Sequence, residues 1–144
     1  MPLRQDRRRE VPVGTLRRQV LTPVLIVDDD PGTRAALASL LNFSGYTTVT
    51  VRSSEEGLTY LRGGGKASVV ILDLGLPGMD GGAFRRTLLD NPSMRAIPVV
   101  VYSATNGVTV PDIVGFVQKT ADPNVLLEMV AKACDKPLIE RGEP

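Results

Sequence analysis

The chain has no histidine, no tryptophan and a single cysteine. Without imidazole it can build no histidine-based nucleophilic triad, no histidine metal site and no self-contained phosphohistidine relay. Carboxylates, hydroxyls, Lys119 and the backbone are left to carry any chemistry. The lone Cys134 excludes an internal disulfide, and its place in a late helical pattern predicts a small buried hydrophobe rather than a reactive thiol. No aromatic residue is interleaved with the arginines near the start, so a stacking platform for nucleic acid is missing there. No run of about 18 apolar residues occurs. The opening MPLRQDRRRE is Arg-rich with no apolar stretch behind it. Neither a membrane span nor a signal peptide is indicated, and the expected location is the cytoplasm.

What is present is unevenly charged. The net charge is +1, yet residues 1–21 carry six arginines against Asp6 and Glu10, a local +4 that leaves −3 for the remainder. A basic arm of this kind can hold an acidic surface or nucleic acid. With one short arm and no partner module, a disordered leader is the expectation and nucleic-acid binding is not. A length of 144 residues suits one domain. The reading is an arm over 1–21, a domain over 22–136 and a tail over 137–144.

From Thr22 the pattern is regular. Val24 to Val27, Thr48 to Val51, Val69 to Leu72, Val99 to Tyr102 and a weaker Gly115 to Val117 are short apolar or β-branched runs. The strongest are continuous rather than alternating, as strands buried on both faces must be. Helix-period segments lie between them, over Pro31 to Leu41, Ser54 to Leu61, Gly82 to Leu89 and Pro123 to Cys134. Asp30-Pro31 and Asp122-Pro123 place a carboxylate cap before a proline at the first helical position, and Ser53-x-x-Glu56 has capping-box spacing. Gly63-Gly64-Gly65-Lys66 lacks the spacing of a phosphate cradle and precedes a strand, so it reads as a helix-to-strand turn. Alternating strands and helices imply a three-layer, doubly wound α/β fold with a five-stranded parallel sheet.

The stretch VLIVDDDPGT, Val24 to Thr33, ends the most hydrophobic segment in three consecutive carboxylates. Two such groups about 4 Å apart repel by about 4 kcal/mol at the effective dielectric of a protein surface. A solvated turn with a helix cap is one explanation, and a site for a hard cation is the other. In open α/β sheets, ligands bind beyond the carboxyl ends of the strands where strand order reverses, between the first and third strands of the 2-1-3-4-5 order. The first strand ends in Asp28-Asp29 and the third in Asp73, so this fold would gather all three.

With these residues in place, the chain resembles the receiver domain of two-component response regulators, a family that the strand-order rule itself uses as an example. The resemblance covers roughly Pro23 to Lys136. It rests on VLIVDDD, ILDLGLPGMDG, VYSA and FVQK, in that order after the first, third, fourth and fifth strands. It implies the 2-1-3-4-5 order, Asp73 as phosphoacceptor, and a Mg²⁺ site made of Asp28, Asp29, Asp73 and the Gly75 carbonyl. It further implies Ser103 as the switch hydroxyl, Lys119 as counter-ion to the phosphoryl group, and Phe116 as the switch aromatic. Asp30 and Asp80 are expected to be caps. The implied partners are a sensor histidine kinase or phosphotransfer protein as donor and an unidentified output protein. With no second domain in view, output is expected through partner binding, and a dimer is left open.

Two departures from the family stand out. Thr120 follows Lys119 where the family has a proline at a cis bond; a non-proline cis bond costs about 3 to 4 kcal/mol, which predicts either a trans bond or strain. The interval from Ser103 to Lys119 is several residues short for the family and contains Pro111, so the helix between the fourth and fifth strands is expected to be very short or lost. Thr105 to Gly115 then reads as a mobile loop with at most one helical turn around Pro111 to Val114. Two other functions stay open. Asp28-x-Asp30-Pro-Gly-Thr resembles the nucleophile motif of haloacid-dehalogenase-type phosphatases, which would make Asp28 the nucleophile and leave Asp73 without a role. A binding module that keeps the fold without phosphorylation is the third.

Overall fold

The computed structural model describes residues 22–75, 80–104 and 110–142, with side chains through Cys134. The expected arm over 1–21 and the Leu76 to Met79 part of the DLGLPGMDG loop lie outside the described residues. The apolar runs form β1 (Val24–Val27), β2 (Thr48–Val51), β3 (Val69–Leu72), β4 (Val99–Ser103) and β5 (Gly115–Gln118). Helices α1 (Pro31–Phe43), α2 (Ser54–Arg62), α3 (Gly81–Asp90) and α4 (Pro123–Gly142) alternate with them. The strands pair in parallel in the order β2-β1-β3-β4-β5. The three-layer doubly wound fold follows.

Every residue of β1 and β3 is buried, which is why these strands read as unbroken apolar runs. Successive side chains serve opposite faces. Val24, Ile26, Val69 and Ile71 pack with Leu37, Leu41, Leu126 and Val130 of α1 and α4. Leu25, Val27, Val70 and Leu72 pack with Leu58, Leu61, Phe84 and Leu88 of α2 and α3. Burying each such side chain stabilises by about 1.5 to 3 kcal/mol.

The helix starts follow their caps. Asp30 accepts from Thr33 N–H at 2.8 Å, Ser53 from Glu56 N–H at 3.1 Å and Asp80 from Ala83 N–H at 2.7 Å. The capping box at Ser53 is only half made. Glu56 takes the N–H of Arg52 at 2.8 Å and pairs with its guanidinium, because the charged partner one residue earlier outcompetes the N–H of Ser53. Gly63 caps α2, and Gly64 turns in the left-handed region at φ +97°. The triple glycine is therefore a turn leading into the start of β3, at the end of the sheet opposite the carboxylates. Helix α4 is longer than the pattern through Cys134 predicts and continues past Pro137 to Gly142.

Between β4 and β5, residues 105–109 lie outside the described residues, and 110–114 form a turn with no helix. Val110 is buried, Ile113 packs on the core shared with α2 and α3, and Val114 N–H donates to Val99 O at 2.8 Å to start β5. The short turn therefore stands where a helix was expected to be shortened or lost.

Candidate functional site

Four strand ends converge. Val27 is level with Leu72, Leu72 with Val101, and Ser103 with Gln118. One residue beyond three of these ends the ladder still holds the backbone. Asp28 N–H donates to Val51 O at 3.2 Å, Asp73 N–H to Val27 O at 3.0 Å and Lys119 N–H to Ser103 O at 3.2 Å. Asp28, Asp73 and Lys119 are thus fixed by sheet bonds.

Asp28 is 1% exposed and Asp73 6%, while Asp29 is exposed. Their carboxylate oxygens lie within 4.8 Å of one another. Each buried carboxylate has one oxygen held by a backbone N–H. Asp28 Oδ1 accepts from Asp30 at 2.9 Å and Asp73 Oδ1 from Gly75 at 3.1 Å. The other oxygens face Lys119, whose Nζ is 2.8 Å from Asp28 Oδ2 and 3.4 Å from Asp73 Oδ2. The approach to Asp28 is an ion pair without an aligned hydrogen bond, so Asp28 Oδ2 is buried with no hydrogen-bond donor.

Burial pushes the Lys119 ammonium down, but pairing with Asp28 and Asp73 outweighs it, and the group ends above its ordinary value. Three carboxylates against one ammonium leave about two negative charges, the complement of one divalent cation. The donor set is all oxygen, and one buried oxygen lacks a hydrogen-bond donor. These residues fit Mg²⁺, which prefers one or two carboxylates together with waters and phosphate oxygens.

Asp30 is the cap of α1 and stands outside this cluster. The hydroxyl of Thr33 and the N–H of Thr33 hold its carboxyl below the ordinary carboxylate value. Ser103 closes β4 and is fully buried, with Ala104 exposed beside it. Phe116 is half-buried and level with Val101, two residues before the partner of Ser103. No described peptide is cis, so the Lys119–Thr120 bond is trans. Lys119 reaches both carboxylates without a following proline because the bond to Ser103 O fixes its backbone.

Two arginines that carry no motif serve the frame. Arg34 of α1 donates to the Asp28 carbonyl at 2.8 Å, tying the helix to the loop that bears the acidic pair. Arg85 of α3 is buried beneath the 110–114 turn. Arg34 lies one helical turn past the cap, and nothing in the sequence pattern marks it. Arg85 is marked by register alone: it lies four residues after Gly81 and three before Leu88, on the buried face of α3.

Residues 24–131 match the family described as the response regulator receiver domain. The chain is 32% identical to protein Rrf1 of Nitratidesulfovibrio vulgaris over 112 residues, covering 76% of this chain and 80% of Rrf1. It is similar to the crystal structure of response regulator protein TrrA from Thermotoga maritima in complex with Mg(2+)-BeF, at TM-score 0.71 and 25% identity, covering 78% of this chain and 99% of that one. A CheY-like receiver domain protein from Methanospirillum hungatei shares the fold at TM-score 0.76 and 21% identity, with 83% and 98% covered. Other curated relatives are longer, and the chain spans 50% and 52% of two of them.

Proposed function

This chain belongs to the response regulator receiver domain family of two-component signalling, and we propose that it accepts a phosphoryl group on Asp73 with Mg²⁺ bound beside it. The observation that carries this reading is the convergence of Asp28, Asp29 and Asp73 within 4.8 Å, with Lys119 bridging Asp28 and Asp73. Asp28, Asp29, Asp73 and the Gly75 carbonyl would hold the metal, which supplies charge neutralisation to the phosphoryl oxygens.

The chain's own residues do the rest. The Gly75 N–H and the Lys119 ammonium each engage one oxygen of Asp73, which fixes the plane of the carboxylate for an in-line approach. An oxygen of Asp73 forms a bond to phosphorus while the bond from phosphorus to the donor's imidazole nitrogen breaks, and the electron pair leaves with that nitrogen. Lys119 moves its pairing to the incoming phosphoryl oxygens, and Ser103 donates its hydroxyl to one of them. Hydrolysis returns the Asp73 carboxylate and inorganic phosphate. Phosphoryl transfer needs little covalent machinery beyond such positioning and charge.

The donor would be a histidine kinase or phosphotransfer protein, since the chain has no histidine of its own. Output would pass through Ser103 and Phe116 to a bound partner in the cytoplasm. The module is a signalling switch and not a turnover enzyme. Family membership and the pairing of Asp73 with Lys119 favour this over a dehalogenase-type phosphatase, which assigns Asp73 no role.

The test is incubation with acetyl phosphate and Mg²⁺ followed by intact mass. One added phosphoryl group in the native chain and none in Asp73→Asn supports the reading. Labelling that persists in Asp73→Asn overturns it.

A further inference from the structure

Arg85 is 4% exposed, yet it belongs to none of the groups at the strand ends. Among the described residues its guanidinium faces carbonyl oxygens. Nη2 donates to Asp112 O at 2.8 Å, Nη1 to Ile97 O at 3.1 Å and Nε to Pro111 O at 3.3 Å. Arginine is rarely buried without a purpose, because its charge loses hydration that neutral carbonyls replace only in part. Burial accordingly pushes its guanidinium down, with the Asp112 carboxylate pulling the other way.

The three acceptors are not scattered. Ile97 leads into β4, and Pro111 and Asp112 form the turn that leads into β5. Asp112 sits at φ +49°, in the left-handed region where aspartate and asparagine are the commonest occupants after glycine. Its carbonyl takes the shortest of the three bonds. The planar guanidinium places its donors on three nitrogens in fixed directions, whereas an ammonium would have to gather all three carbonyls around a single nitrogen.

The other end of Arg85 is equally constrained. It lies on α3, one turn after Gly81, and a Cβ on Gly81 would come 2.5 Å from Leu74 Cδ2. The side chain of the residue following Asp73 therefore packs directly against the backbone of the first turn of α3. The path runs from Asp73 to Leu74, to Gly81, along one helical turn to Arg85, and into the turn before β5 and Phe116.

We propose that Arg85 is a positioning residue that clamps the 110–114 turn to α3 so that a change at Asp73 is carried to the β5 face. The coupling part rests on the function proposed above, whereas the clamp itself does not.

The experiment is amide hydrogen exchange on the full chain, free and with Mg²⁺ and beryllofluoride, for the native protein, Arg85→Met and Arg85→Lys, with fluorine NMR reporting bound beryllofluoride. Met keeps the apolar stem and removes all donors, and Lys keeps the charge and removes the fork. Arg85→Met should raise exchange across residues 110–118 at least tenfold in the free protein while β3 stays within twofold. Its beryllofluoride signal should persist while the exchange change at 110–118 is lost. Arg85→Lys should lie between the two, and it also supplies the comparison should Arg85→Met not fold. Exchange at 110–118 within twofold of native in Arg85→Met, or in Arg85→Lys if that alone folds, overturns the clamp. A native-like beryllofluoride response at 110–118 in a variant whose free turn has loosened overturns the coupling. Absence of any beryllofluoride signal from the native chain contradicts the phosphoacceptor reading and with it the coupling, while the free-state exchange still decides the clamp.

Discussion

Lys119 Nζ stands 2.8 Å from Asp28 Oδ2, in the place where a cation bound by the three carboxylates would draw on the same oxygen. The lysine and the metal therefore compete for Asp28 and cooperate on Asp73. Lys119→Met should tighten Mg²⁺ binding, because it removes the competing ammonium. The same change should slow phosphorylation by acetyl phosphate by on the order of 10²-fold, the usual cost of losing one preorganised charge at developing oxyanions. Calorimetric Mg²⁺ titration and labelling rates by mass measure the two effects. Weaker metal binding in the variant would contradict the competition.

Asp29 is exposed while Asp28 and Asp73 are buried, so its removal separates binding from folding. Asp29→Ala should lower Mg²⁺ affinity and leave unfolding stability within about 0.5 kcal/mol, the range of ordinary surface changes. Denaturant unfolding and titration of the same samples test this, and unchanged affinity would exclude Asp29 from the metal site.

At the edge of the sheet, a Cβ on Gly115 would meet Met129 Sδ and Cε at 2.7 Å. Gly115→Ala should cost about 1 kcal/mol, at the low end for overpacking because a methionine tip can move. The double change with Met129→Ala should recover part of that loss. Urea unfolding of the three variants measures the coupling.

The cap of α1 makes a pH-dependent contribution of known sign. The Asp30 carboxyl is held below its ordinary value, so its stabilisation is present above that value and is lost as the pH falls through the lower folded-state value. Asparagine caps as well as aspartate but does not titrate in this range. Asp30→Asn should match the native protein at neutral pH and lose less stability on acidification. Parallel acid-unfolding curves would count against the cap.

Much of this molecule is legible in its sequence. The runs VLIV, TVTV and VVIL coincide with β1, β2 and β3 residue for residue: β1 and β3 are buried throughout and leave no polar position to blur their ends, while the outer strand β2 is marked by its β-branched Thr-Val alternation. The three carboxylates could be brought together on paper, since parallel order fixes which strand ends are neighbours. What escaped were interactions that depend on where long side chains reach. Glu56 has capping-box spacing but prefers Arg52. Arg85 sits beside Arg86 in a pair that reads as a polar face, and only its register with Gly81 and Leu88 marks it as buried. The extent of α4 past Pro137 also escaped, because the apolar period ends at Cys134 while the backbone continues.

Locating the acyl phosphate tests the phosphoacceptor role of Asp73 most directly. After reaction with acetyl phosphate and Mg²⁺, reduction with borohydride converts a phosphorylated aspartate to homoserine, which peptide mass spectrometry assigns to a residue. Homoserine is expected at position 73 and at neither 28 nor 29. Homoserine at position 28 would make that residue the nucleophile and contradict the roles of Asp73 and Lys119 in phosphoryl transfer; no conversion anywhere would contradict phosphorylation itself and leave a receiver fold that acts by binding alone.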